Sequence, residues 1–287
     1  MNDHIVGICR FSFLGRGDWG AYIGTARGSE AEAEALRQSA LQLYAEDRLR
    51  FRFRAFEALT LASMRAQAHE DFTLIVLSST AMPAAWQARL GALCLTLPQA
   101  RLVLSDETDV AAALAPHLRE LSAGGRRLVQ FRLDDDDCVP ADFTARLARA
   151  GEVMRDYDAF AFSLPRTLLA TRYGDAAPAR YEQIQPFHAA GAAVALPVRR
   201  TASRVARSIF AFGHFALMRR FPALTDPGPY GALQLKVEGH DSRTIRPNEP
   251  GLTALDEAQF AQALATGFPF LDQRALADLL AVPAAPA

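Results

Sequence analysis

Hydrophobic and polar positions along the chain switch between two periods, strict alternation and recurrence every three or four residues, and the switches mark out its elements. Ile5 to Cys9 is a short apolar run with β-branched residues and reads as a first strand. Glu30 to Tyr44, rich in alanine and glutamate, reads as a helix, and Phe53, Phe56, Leu59 and Ala62 recur every third residue, which predicts an amphipathic helix over Phe53 to Gln67. Phe72 to Leu77 is a strand closed by Ser78, Ser79 and Thr80, and Met82 and Pro83 open a helix that runs through Leu93. Ala100 to Leu104 is a third strand, and Val110 to Leu121 is a helix stopped by Gly124 and Gly125. Strands and helices alternate, the order that builds a parallel sheet flanked by helices.

The next strand carries the chemistry. Val129, Phe131 and Leu133 alternate with Gln130 and Arg132, and the strand runs straight into Asp134, Asp135, Asp136 and Asp137. Pro140 sits near the start of a helix that continues through Phe143, Leu147 and Met154. A strand, an acidic tip and a helix are how an open α/β sheet presents a site at the carboxyl end of a strand. Adjacent carboxylates repel and raise one another's pKa values, and a bound divalent cation is the simplest way to keep them ionised together. Apolar sequence on both sides ties this run to a core strand, which separates it from a solvated acidic turn.

Beyond the acidic tip the pattern loosens. Ala159 to Leu164, Leu168 to Arg172 and Gly191 to Val198 read as strands, Tyr173 to Pro186 as a loop, and Thr201 to Arg220 as partly helical. Pro222 to Pro250 is rich in turn residues, and Leu255 to Leu264 and Gln273 to Leu280 close the chain as helices. The fold expected is one α/β domain over residues 1–287, a mixed but mainly parallel sheet flanked by helices, with a substrate-binding half to 143 and a second half from 144.

Composition narrows the function. Half of the 287 residues are apolar, ample for a real core, and a formal net charge of -1 argues against a protein built to hold nucleic acid. Cys9, Cys94 and Cys138 are widely spaced and odd in number, which fits neither a disulfide framework nor a structural zinc site. With no signal-type or membrane-spanning apolar run, a cytoplasmic protein is expected. Gly15-Arg16-Gly17-Asp18-Trp19-Gly20 matches a dinucleotide-binding fingerprint in letters, but no helix follows at once and no acidic strand end arrives about 20 residues later, so it reads as a loop.

Val6-Gly7-Ile8-Cys9-Arg10-Phe11-Ser12, Phe56-Glu57, Ser63 to Gln67, Asp71 to Ser79, Met82-Pro83 and Phe131 to Asp137, in that order, resemble the bacterial putative rhamnosyl transferase family. The match is clear from Ile5 to Phe143. The resemblance implies a GT-A fold, whose sheet ends in an Asp-x-Asp motif, and a metal-dependent transfer of a sugar, L-rhamnose on the family's name, from a nucleotide-sugar donor to a glycan or lipid-linked saccharide acceptor. One departure is that Ser78, Ser79 and Thr80 stand where common GT-A families carry acidic residues that read the base.

On that alignment Asp134 contacts the donor ribose, and Asp135, Asp136 and Asp137 hold Mn²⁺ or Mg²⁺ against the diphosphate. Arg10, Arg54 and Arg132 are the arginines expected at the phosphates, with Ser79 beside the donor. The base that takes the acceptor proton is expected among Asp241, Glu182 and Asp226; His214 and His240 read as structural residues ahead of further metal or phosphate ligands, and His188 as core. A lipid-linked acceptor also implies peripheral membrane contact. Two alternatives are a catalytically silent GT-A-like binding domain and a metal-dependent phosphotransferase or nucleotidyltransferase, although no Walker-type phosphate loop supports the last.

Overall fold

The computed structural model describes residues 3–16, 25–123, 125–197, 207–237, 244–246, 249 and 251–281. The first half alternates as its periodicity requires: β1 (Asp3–Arg10), α1 (Glu30–Leu43), α2 (Glu46–Ala55), a π-helical turn (Phe56–Leu61), α3 (Ala62–Arg65), β2 (Phe72–Ser79), α4 (Ala84–Cys94), β3 (Ala100–Ser105), α5 (Val110–Leu121) and β4 (Arg127–Asp134). The caps are local chemistry. Ser29 and Asp109 accept hydrogen bonds from the first-turn N–H groups of Glu32 and Ala112, which fixes where α1 and α5 begin.

The second half adds β5 (Asp137–Cys138), α6 (Phe143–Val153), β6 (Phe160–Ser163), β7 (Arg166–Arg172), β8 (Ala179–Ile184), β9 (Ala193–Leu196), α7 (Leu217–Arg220), β10 (Ala223–Thr225), β11 (Tyr230–Val237), β12 (Leu252–Ala254), α8 (Glu257–Gly267) and α9 (Gln273–Leu280). A seven-stranded sheet has the order β10-β6-β9-β4-β1-β2-β3, and its β3-β2-β1-β4 portion is parallel throughout. Strand β9 runs antiparallel between β4 and β6. The sheet is thus mixed and mainly parallel, as expected.

Strand alternation sorts β1 between two cores. Ile5, Cys9 and Phe11 pack with Phe53, Phe56, Phe131 and Phe143 on one face, while Val6 and Ile8 pack with Leu114, Leu118 and Ile209 on the other. By the same alternation Arg10 and Arg132 emerge on the α5 face, just past the carboxyl end of the apolar rows.

A second sheet of five strands, β12-β8-β7-β11-β5, was not legible in the sequence. Tyr173 to Pro186, read as loop, contains β8, and the turn-rich stretch from Pro222 contains β10 and all of β11. In β11 buried Leu233, Leu235 and Val237 alternate with Gln234 and Lys236, so the period is present, but Pro222, Pro227, Gly228 and Pro229 crowd its start and obscure it. The helix predicted from Phe53 begins earlier, at Glu46, and is interrupted by the π turn. Thr201 to Arg220 yields only short helical turns in its described part.

The two sheets meet at β5, which pairs Asp137 and Cys138 with Gln234 and Leu233 of β11. Strand β11 in turn pairs with β7 through a register shift at Gly231, where an added Cβ would lie 2.1 Å from the Leu164 carbonyl oxygen. Gly231→Ala is therefore expected to force β11 away from the chain before β7, lowering unfolding free energy by about 1–3 kcal/mol. Urea denaturation measures it, and an unchanged midpoint would show that β11 can shift without cost.

Candidate active site

The acidic run forms the link between β4 and β5, and its four carboxylates diverge. Asp135 and Asp136 are both buried and share Arg52 of α2, whose Nη1 donates to Asp135 Oδ1 at 2.6 Å and to Asp136 Oδ2 at 2.8 Å. The other Asp135 oxygen accepts the Ser12 backbone N–H at 3.1 Å. Ser12 holds that geometry at φ 43°, a left-handed conformation unusual for a residue with a Cβ. Asp134 pairs with Arg10 at 3.1 Å, and Asp137 Oδ1 accepts from Gln234 Nε2 at 3.2 Å. Below the turn, the Thr60 hydroxyl lies 3.1 Å from the Asp134 carbonyl oxygen and 2.9 Å from that of Asp137. Thr60 belongs to the π turn, so this irregular stretch of helix supports the acidic run from beneath.

Burial and neighbouring charge set each carboxyl differently. Burial pushes Asp135 up to about 6 against the opposing pull of Arg52, and pushes Asp137 up to about 8 against that of Lys236. Asp134 is half-buried, which by itself would raise it, but Arg10 and Arg132 hold it below its ordinary value. Asp137 Oδ2 is buried with no hydrogen-bond partner among the described residues.

The expectation that Asp135, Asp136 and Asp137 hold one divalent ion meets a different arrangement. Both Asp135 oxygens are engaged, Asp136 shares the Arg52 guanidinium, and Asp137 turns toward β11. Among the described residues, no three His, Cys, Asp or Glu side chains are grouped so as to hold a metal ion. In this arrangement Arg52 supplies to Asp135 and Asp136 the positive charge that the ion was expected to bring.

Beside Asp134 lies an open groove of about 620 Å³, lined by Arg10, Arg16, Arg27, Arg132, the start of α5 and Phe210. Arg10 and Arg132 both stack on the Phe210 ring, with guanidinium carbons 4.9 and 4.5 Å from its centroid. Arg16 is tied to Glu32, and Arg27 lies 3.5 Å from Asp109. Four guanidinium groups converging at the carboxyl ends of β1 and β4 can receive an anion carrying more than one negative charge.

The structure brings Arg10, Arg132 and Asp134 together as expected and keeps other candidates apart. Arg54 faces solvent and donates to the Asp278 carbonyl oxygen on α9. Ser79 is buried at the end of β2, where its hydroxyl accepts the Ala81 N–H. Glu182 lies on β8, three strand spacings from β5 or about 14 Å, and is held by Arg166 and the Tyr230 hydroxyl. Asp226 pairs with Arg146. His188 is buried on the Leu164 carbonyl, as a core residue would be, and burial lowers it to about 4. His214 bonds the Phe187 carbonyl oxygen at 2.7 Å. Asp241, His240 and the segment Gly17 to Gly20 lie outside the described residues.

Sequence reasoning passed over Arg52, Arg16, Arg27, Phe210 and Gln234. A signal for Arg52 existed, because it stands three residues after Leu49 and four before Phe56, on the apolar face of α2, whereas Arg54 falls on the opposite side.

An acidic turn at the end of a parallel strand, beside an arginine-lined groove, is the layout of an α/β enzyme that handles an anionic substrate. The chain belongs to the putative rhamnosyl transferase family, whose model matches residues 4–249, and by that membership it is a glycosyltransferase. Among solved structures it is similar to a putative nucleotide-diphospho-sugar transferase from Desulfovibrio desulfuricans G20, at 8% identity over 98% of this chain and 97% of that one, with a TM-score of 0.36. It is also similar to S. aureus TarS in complex with UDP-GlcNAc, at 10% identity over 92% and 71% of the two chains, with a TM-score of 0.39. Likenesses this distant carry no argument about function. The search of curated proteins gave no match.

Two outcomes follow from the buried charges. Asp135→Asn leaves Arg52 half-paired in the interior and is expected to cost about 3 kcal/mol of unfolding free energy; a urea midpoint equal to wild type would show that the clamp holds nothing. From about pH 4 to 8 the native Asp137 carboxyl retains a proton that the unfolded chain has lost, so its contribution to stability falls as pH rises through the whole of this window. Between about pH 4 and 6.5 His188, neutral when folded and charged when unfolded, opposes that slope, so the uncompensated part of the Asp137 effect lies between about pH 6.5 and 8. Melting temperature should fall from about pH 6.5 to 8, and Asp137→Asn should flatten that fall; a fall of equal steepness in the variant would show that Asp137 is not its source.

Proposed function

We propose that the chain transfers a sugar, L-rhamnose on the family's name, from a nucleoside-diphosphate donor to a glycan or lipid-linked saccharide acceptor. The observation that carries this reading is the groove in which Arg10, Arg16, Arg27 and Arg132 converge beside Asp134. When the glycosidic bond breaks, negative charge grows on the departing diphosphate, and donors fixed in advance around it lower the barrier without reorganising. Arg10 and Arg132 are fixed in this way, each stacked on Phe210.

In this reading the arginines meet the diphosphate charge, and Arg52 neutralises the acidic turn on the far side of Asp134. On the same proposal Asp134, held ionised by Arg10 and Arg132, accepts a hydrogen bond from a ribose hydroxyl of the donor. The alternative of a silent binding domain keeps the groove and lacks turnover.

Thermal-shift titration with a panel of nucleoside diphosphates and their sugars, each with Mn²⁺, Mg²⁺ or EDTA, tests the proposal, since a ligand that binds only the folded state raises its apparent stability. One diphosphate and its sugar should stabilise the protein, and Arg132→Gln should weaken that ligand by roughly tenfold or more, the loss expected for a charge-assisted hydrogen bond. Stabilisation in EDTA equal to that in Mn²⁺ supports arginine neutralisation. Stabilisation that vanishes in EDTA and returns with Mn²⁺ gives the metal back to the acidic turn, and no response to any diphosphate sinks the donor assignment.

A further inference from the structure

Between Glu182 and Asp226 the sequence contains no carboxylate, although it includes six arginines: Arg199, Arg200, Arg204, Arg207, Arg219 and Arg220. The described part of this stretch, from residue 207, folds into two short helical turns, Ile209–Ala211 and His214–Ala216, followed by α7. Buried Leu217 anchors α7 in the core shared with Ile209 and Phe212. Phe215 and Met218, three residues apart and therefore on one face of the helical turn, point the other way, with 46% and 50% of their surfaces exposed. Arg219 and Arg220 stand exposed beside them, and the Arg220 guanidinium lies 5.6 Å from the Phe212 ring.

Two apolar side chains facing outward at a helix end, flanked by arginines and free of neighbouring acids in sequence, match a bilayer surface that carries negative charge. The apolar tips enter the acyl boundary while the guanidinium groups stay at the phosphate level. We propose that residues 214–220 dock the chain on an anionic membrane surface. The position of the patch gives it a use, because Phe212 and Gly213, immediately before it, line the arginine groove. Docking through this face sets the rim of the groove at the headgroup layer, where a lipid-linked saccharide presents its sugar. That use rests on the lipid-linked acceptor proposed above, whereas the docking itself needs only the exposed Phe215 and Met218 and the neighbouring arginines.

The test is co-sedimentation of the full chain with vesicles of phosphatidylcholine alone and of an equal mixture with phosphatidylglycerol. Wild type should pellet with the mixed vesicles, stay in solution with the neutral ones, and be released by high salt. Arg219→Gln should weaken binding about fivefold, the share of one arginine at an anionic surface. Phe215→Ser with Met218→Ser should weaken it at least about tenfold, with melting temperatures equal to wild type because the side chains are exposed. Hydrogen exchange gives a readout that needs no variant: amides of residues 214–220 should slow when mixed vesicles are added. Equal binding to both vesicles, full binding by the double variant, or no slowing at these amides would overturn the proposal. So would a wild-type dimer in light scattering that Phe215→Ser converts to a monomer, which would assign the face to a second copy of the chain. Neither readout uses donor or acceptor, so their failure and that of the proposed transfer are distinguishable.

Discussion

Four consecutive aspartates at the end of a core strand must each meet a cation or keep a proton, and the guanidinium of Arg52 is the contact on which the rest of the site depends. It binds two of the carboxylates from the far side of the turn, where α2 delivers it through the aromatic core of Phe53 and Phe56. Asp134 is met by Arg10 and Arg132, and Lys236 of β11 faces Asp137. Each cation comes from a different element, so the acidic turn draws β1, α2, β4 and β11 to one place. A buried pair of this kind adds little net stability, yet removal of either partner is severe, and it selects one arrangement of the turn over its alternatives.

The parallel half of the fold was legible because its elements are long, periodic and cleanly capped. The period of β1 and β4 also determines that Arg10 and Arg132 share one face of the sheet, since position alone decides which face of a strand a side chain takes. The second sheet was hidden because β8 and β11 are bordered by turn residues, and because β5, a strand of two residues, has no period to read. The acidic run itself was conspicuous, but which carboxylate faces which partner depends on Arg52 and Gln234, far away in sequence. Arg52 and Arg54 differ by helical phase alone, Arg52 on the buried face of α2 and Arg54 on the exposed one. Leu49 and Phe56 mark the buried side.

Strand alternation also divides the labour among the charged groups. Arg10, Arg132 and Asp134 share the face that opens on the α5 side, toward solvent and the groove, whereas the next position, Asp135, turns to the α2 side and is enclosed. The first set is accessible to a ligand and the second is internal scaffolding. An acidic motif read as one unit in sequence is in space two units with different partners, dielectric surroundings and consequences on substitution.

The π turn between α2 and α3 has a consequence of another kind. Regular α-helix advances about 100° per residue, and the wider turn at Phe56–Leu61 accommodates extra chain without breaking the helix. Arg52 before it and Thr60 within it therefore address the same acidic turn from phases that a uniform helix would not give them. Deleting one residue there would leave composition, length of helix and core content nearly unchanged while rotating one of the two contacts out of reach. In this protein the spacing between two residues is as much a part of the site as their identity, and a homologue that keeps both side chains but has lost the extra residue would have lost the site.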